Sequence, residues 1–133
     1  MNTHLKELIE LSKNDRAIDG YNPQLEAIDT KVSRVEQKLK TAKDELLKLN
    51  NSISDNEDKI KIFDNQLTML HEQLGKNVKK SKNISTEKEM KALSLEEDIA
   101  KEKMTFANEE IDRLQNINNT KKSLADEIGR AHV

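Results

Sequence analysis

Side chains able to ligate or react are few and scattered. The chain has no cysteine, which excludes a disulfide framework and thiolate metal ligation within these residues. His4 and His71 have no second histidine or cysteine at helical spacing, so each reads as an exposed helical histidine. Carboxylates are abundant, but a carboxylate does acid–base work only where a desolvated cleft shifts its pKa. No nucleophile constellation or phosphate loop is present, and the chain reads as non-enzymatic. The one dense cluster is basic: Lys76, Lys79, Lys80, Lys82, Lys88 and Lys91, with only Glu87 and Glu89 against them. Such a cluster suits nucleic acid or an acidic partner, but an ordinary solvated turn is the first reading. No aromatic is interleaved, so base stacking is unsupported. The Asn-x-Ser/Thr strings at Asn50, Asn83 and Asn118 are incidental in a cytoplasmic protein.

These residues sit on a long apolar ladder with alternating steps of three and four. It reads Leu25, Ile28, Val32, Val35, Leu39, Ala42, Leu46, Leu49, Ile53, Asn56, Ile60, Phe63, Leu67, Leu70, Leu74. About seven heptads of this spacing specify a helix that pairs along one narrow seam. Only Asn56 is polar, and a core asparagine serves as a register device; a local break for a partner is the alternative. Met69, Met90 and Met104 read as filler in the seam, with a plastic binding surface as the alternative.

The ladder belongs to the second of three expected helices. A short first helix spans 3–18, with Thr3 as N-cap and Leu5, Leu8, Ile9, Leu11 and Ile18 on one side. Asp19, Gly20, Tyr21, Asn22 and Pro23 end or kink it, Gly20 as a left-handed C-cap and Pro23 in the first turn of the next helix. The long helix covers 23–75, about 75 Å at 1.5 Å per residue, and Gly75 is its expected C-cap. Residues 76–86 are polar and read as the turn, although Val78 and Ile84 suit an extension of either helix. Thr86 or Ser85 caps the return helix over 87–127, with Glu89 completing a capping box. Its seam is Leu93, Ala100, Met104, Ala107, Ile111, Leu114 and Ala125. Ala92, Leu95, Ile99 and Phe106 make a second stripe beside it, widening the apolar face near the turn. The expected fold is therefore all-α, a long antiparallel coiled-coil hairpin preceded by a short helix. A parallel dimer fits the periodicity too, but gains nothing from the interruption at 75–86.

Composition agrees. Aromatics are only 2% of the 133 residues, too few for a typical globular core but enough for a helical pair. The charge of −2 argues against nucleic-acid binding by the chain as a whole. No apolar stretch approaches the ~20 residues of a membrane span, and the opening segment lacks signal-peptide character. A soluble, cytoplasmic protein is expected.

The last residues, 128–133, read Ile-Gly-Arg-Ala-His-Val. ATC-GGA-AGA-GCA-CAC-GTC, a sequencing-adapter string, encodes this segment, which is therefore expected to be a non-native tail. A genuine short extension is the alternative. On the adapter reading, Arg130 and His132 have no function and the natural protein continues beyond Glu127. The return helix is also about eleven residues shorter than the long one, which leaves ladder positions near 25–32 uncovered and open to self-association.

Two segments carry a family resemblance. Val78-Lys-Lys-Ser-Lys-Asn-Ile-Ser-Thr-Glu-Lys-Glu-Met-Lys-Ala-Leu93, followed by Ser-Leu-Glu-Glu-Asp-Ile-Ala-Lys-Glu-Lys103, resembles the hairpin tip of bacterial C4-type zinc-ribbon proteins. Lys88, Glu89, Ala92 and Leu93 match its Lys-Glu-aromatic-x-Ala-Leu, while Met90 replaces the usual aromatic or leucine. The opening, from Leu8 through Asp15 to Ile18, is similar to the family's Leu-x-x-Leu-x-x-x-Asp-x-x-Ile. The phrase from Leu95 to Glu102 looks like the flagellar-regulatory branch of Helicobacter and Campylobacter relatives. The resemblance implies an N-terminal coiled-coil hairpin and a C-terminal zinc ribbon, whose cysteines would lie after Glu127. It also implies a role in flagellar gene expression. The partners it implies are the sigma factor RpoN, flagellar export components and flagellin message.

The leading expectation is an adaptor that holds a sigma factor or export component. Its contact residues would be Lys79, Lys80, Lys82, Lys88, Glu89, Ala92, Leu93, Leu95, Ile99 and Phe106. The second is an RNA-binding module using the basic tip, and the third a purely structural coiled-coil dimer.

Overall fold

A computed structural model describes residues 2–132, without the side chains of residues 17–21. It contains two helices, α1 (Thr3–Ser81) and α2 (Glu87–Ala131). The chain divides into two units, Met1–Asp44 and Glu45–Val133.

The first unit is helical from Thr3 onward. Asn2, not Thr3, starts the helix: its side-chain oxygen accepts from the His4 N–H at 3.1 Å, and its carbonyl accepts from the Leu5 N–H at 3.1 Å. Asparagine is among the strongest N-cap residues, and one residue further out it leaves Thr3 free to be helical. Residues 3–18 are helical as expected, but the helix continues through 19–23, with Pro23 inside it. A proline there costs one backbone hydrogen bond and about 3 kcal/mol. The residues just before it, Asp19, Gly20, Tyr21 and Asn22, are weak helix formers as well, so local propensity does not offset that cost. The expected roles of Ile18 and Gly20 lie outside the described residues. Leu5, Leu8, Ile9 and Leu11, and the ladder residues Leu25, Ile28, Val32, Val35 and Leu39, are all exposed.

The second unit is the antiparallel hairpin. The α1 seam runs from Leu46 to Asn77 and meets the α2 seam of Leu93, Ala100, Met104, Ala107, Ile111, Leu114, Asn118 and Ala125. Register is fixed at two levels: Asn118 contacts the Ile53 carbonyl and Asn56, and Phe63 meets Phe106 edge-on with ring centroids 6.1 Å apart. Ala100 and Ala107 are almost fully buried. Small side chains there let α2 approach the bulkier Phe63, Leu67 and Leu70 of α1 closely. Because the seam is filled from within the chain, the parallel-dimer alternative is not the arrangement adopted.

Three expected boundaries shift. Gly75 is not a C-cap: α1 runs on to Ser81, and no described glycine has positive φ. Glycine costs only about 1 kcal/mol inside a helix, and the next seam step after Leu74 falls on Asn77, which is buried. Ser81 Oγ donates to the Val78 carbonyl at 2.6 Å, and the Asn83 N–H donates to the Lys80 carbonyl at 3.0 Å, closing the end without a left-handed residue. The turn is consequently 82–86 rather than 76–86. At the other end α2 passes Glu127 and stops at Ala131, with Ile128 half-buried at the seam step after Ala125.

Candidate interaction face

The residues singled out in the sequence separate into a basic tip, a capped helix start and an apolar face. Lys76, Lys79, Lys80, Lys82, Lys88 and Lys91 are exposed around the turn. Lys79 and Lys80 lie in the last turn of α1, where cations complement the helix dipole. Lys91 pairs with Glu87 at 3.6 Å on the exposed surface, an interaction of small energetic weight in water.

Thr86 is the N-cap of α2, and its hydroxyl accepts from the Glu89 N–H at 3.3 Å. The reciprocal side-chain bond of a full capping box is absent among the described residues. Glu87 and Glu89 lie in the first turn of α2 and complement its dipole, so Glu89 has a structural role here. Leu93 is buried in the seam.

Ala92, Leu95, Ile99 and Phe106 are all exposed. The hairpin adds Ile62 of α1, which the sequence did not flag, and Met69, which like Met90 is exposed rather than seam filler as expected. Phe106 is 57% and Met69 68% exposed, so this is apolar surface presented outward rather than core. On α1 the heptad position holding Ile62 and Met69 is occupied by Asp55 before them and Lys76 after them. On α2 the equivalent row is Ala92, Ile99, Phe106 and Arg113. Between the rows lies an open groove of about 870 Å³, with Met69, Leu70, Ile99 and Phe106 as its apolar lining and Gln66, Gln73, Lys76, Glu102 and Lys103 among its polar walls. Such a groove accepts an amphipathic helix or another hairpin.

Beside this face Arg113 donates to Glu110, with Nη2 to Oε2 at 2.7 Å and Nε to Oε1 at 3.2 Å. The hydrogen bond from Arg113 is the main cause holding the Glu110 carboxyl below its ordinary pKa, and it raises the Arg113 guanidinium in turn.

The seam holds three buried asparagines. Asn56 donates from Nδ2 to Asn118 Oδ1 at 2.9 Å, and Asn118 Nδ2 donates to the Ile53 carbonyl at 3.2 Å. One step along, Lys121 donates to Ser52, and Lys122 approaches Glu57 at 3.8 Å. Asn77, 2% exposed, has an Nδ2 without a hydrogen-bond partner. Continuing the steps of three and four from Leu74 and Leu114 would have found Asn77 and Asn118.

The zinc that the resemblance implies belongs to cysteines expected after Glu127, not to the hairpin residues. There is no cysteine, and among the described residues no group of three or more His, Cys, Asp or Glu could hold a metal ion. His4 lies beside Glu7 at 3.9 Å on an exposed helix surface. No described helix is long and apolar enough to cross a membrane.

Comparison with protein-family models and with curated proteins gives no match. Among solved structures the chain is similar to the HP0958 protein from Helicobacter pylori CCUG 17874, at 28% identity and a TM-score of 0.74. The match covers 98% of this chain and 55% of that one, so the chain spans little more than half the length of the structure it resembles.

Proposed function

We propose that the chain is a non-enzymatic coiled-coil adaptor that acts in the cytoplasm and holds a protein partner against its apolar face. The observation that carries this reading is the outward placement of Ile62, Met69, Leu95, Ile99 and Phe106 on a scaffold whose own seam is already filled. Ile62, Met69, Leu95 and Ile99 lie outside the seam, and Phe106 touches Phe63 while most of its ring stays exposed; contiguous exposed apolar side chains next to a groove are what a partner helix buries. The tip resemblance supports a sigma factor such as RpoN, or a flagellar export component, as that partner, and hence a role in flagellum biogenesis. It also supports the chain being the hairpin portion of a zinc-ribbon protein.

A pull-down with RpoN tests the reading. Replacing Leu95, Ile99 and Phe106 with Glu should abolish capture while the helical circular dichroism signal persists. Undiminished capture, also after deletion of 75–93, would overturn it.

The exposed lysines around the turn favour a second reading, RNA contact at the tip. Binding would then fall steeply with salt and be lost when Lys79, Lys80 and Lys82 become Glu. A flat salt dependence excludes it.

A further inference from the structure

The outward row on α1 has a property that adaptor binding does not require: it is complementary to its own reverse. Asp55, Ile62, Met69 and Lys76 follow one another at seven-residue spacing, so a heptad-paired helix carries them in one line along its outer surface. Read from the other end the row is base, apolar, apolar, acid. Two copies laid antiparallel therefore place Asp55 on Lys76 of the second copy and Ile62 on its Met69, each contact occurring twice. That is the pattern of an isologous, two-fold interface. Asp55 and Lys76 cannot satisfy one another within one chain, since they are about 31 Å apart at 1.5 Å per residue. Both are exposed, and neither is in an ion pair among the described residues.

The return helix crosses the same axis, although its own row is not self-complementary: Ile99 then lies on Arg113 of the second copy and only Phe106 meets itself. The midpoint of the α1 row lies beside Gln66. The register set by Phe63 with Phe106 and by Ile53 with Asn118 brings Phe106 close to that level. The ring, 57% exposed, then meets its counterpart across the axis at the centre of the interface, where an aromatic anchor contributes most. Lys103 faces Glu110 of the second copy on the inner side. On the outer rims Asp58 meets Glu72 and Glu102 meets Glu109. These like charges lie in solvent, where screening keeps their cost small but sets a limit on affinity. The apolar row is also short beside the roughly 800 Å² per partner of a standard interface.

We propose that this face pairs with a second copy of the chain as a weak antiparallel dimer, with its two-fold axis beside Gln66. The contact does not rest on the adaptor reading. It covers the same surface, so self-pairing and partner binding exclude one another.

Sedimentation equilibrium of the whole chain from micromolar to millimolar concentration, at low salt, measures the association. A reversible monomer–dimer equilibrium is expected. D55K and K76D should each weaken it several-fold, and the double variant D55K/K76D should restore it, because each swapped residue meets its swapped counterpart on the other copy. F106E should abolish it. The absence of native cysteine permits a direct check of the axis: Gln66→Cys should be joined to itself by a short bis-maleimide, whereas Gln73→Cys, whose images lie about 22 Å apart at 1.5 Å per residue, should not. A monomer at every concentration would overturn the proposal. So would a dimer indifferent to F106E, as pairing through the exposed ladder at 25–39 would give, or a charge-swapped double variant as weak as its singles.

Discussion

Asn118 binds α1 at two points: its Oδ1 accepts from Asn56 Nδ2 at 2.9 Å, and its own Nδ2 donates to the Ile53 carbonyl at 3.2 Å. A leucine pair at this level would be more stabilising but would tolerate a slip of α2 along α1, because apolar layers a heptad apart are alike. A buried amide pair is satisfied in one register only. Asn56→Leu should therefore destabilise the hairpin by about 1–3 kcal/mol, since Asn118 loses its donor while remaining buried. Asn56→Leu with Asn118→Leu should recover that loss or exceed it, and widen the distribution of α1–α2 distances. Urea denaturation reads the first effect, and spin-label distances across the seam read the second.

Asn77 occupies the same kind of position without the benefit of a partner. An orphaned buried donor costs about 1–3 kcal/mol, so Asn77→Leu should raise the urea midpoint, opposite in sign to Asn56→Leu. The two substitutions are chemically identical and lie on the same helix seam. Only the hydrogen bonding of the residue replaced separates them.

The ladder from Ile53 to Leu74, the direction of α2 and the N-cap at Thr86 were all legible in the sequence, because each rests on a local pattern that packing reinforces. The polar seam residues were harder to see. Asn77 and Asn118 interrupt the apolar signal by which a seam is recognised, and their core status follows from the spacing of their neighbours. Pro23 and Gly75 carry strong stop signals, yet both lie inside α1: at Gly75 a single unfavourable residue is outweighed by the helix formers around it, whereas Pro23 follows the weak formers Asp19, Gly20, Tyr21 and Asn22, and local propensity does not account for its place. The α1 half of the interaction face was hidden for another reason. Ile62 lies off the ladder and looks like a scattered surface residue, and Met69 reads as seam filler, until α2 brings Ile99 and Phe106 to the groove beside Met69.

Gly75 offers a second stability test at the tip. A β-carbon there would meet nothing within 4 Å, and the position is helical, so Gly75→Ala adds helix propensity without a clash. It should stabilise α1 by about 1 kcal/mol. With Asn77 orphaned two residues away, the last turns of α1 form the weakest part of the hairpin and should open before the seam at 53–70. Hydrogen exchange should be faster over 75–81 than over 53–70, and Gly75→Ala should slow exchange over 75–81 selectively.

The Glu110–Arg113 pair gives a prediction in pH. The Arg113 hydrogen bond lowers the Glu110 pKa in the folded chain, so the pair's contribution is present above the ordinary glutamate value and is lost as pH falls through the depressed one. Arg113, its own pKa raised, keeps its charge throughout. Carboxyl-carbon NMR should show Glu110 titrating below the ordinary glutamate value, and Arg113→Gln should return it there. Because the pair is an exposed one three residues apart on a helix, the accompanying change in thermal stability should be small and should shrink further with added salt. A Glu110 titration unchanged by Arg113→Gln would mean that the bidentate contact does not persist in solution.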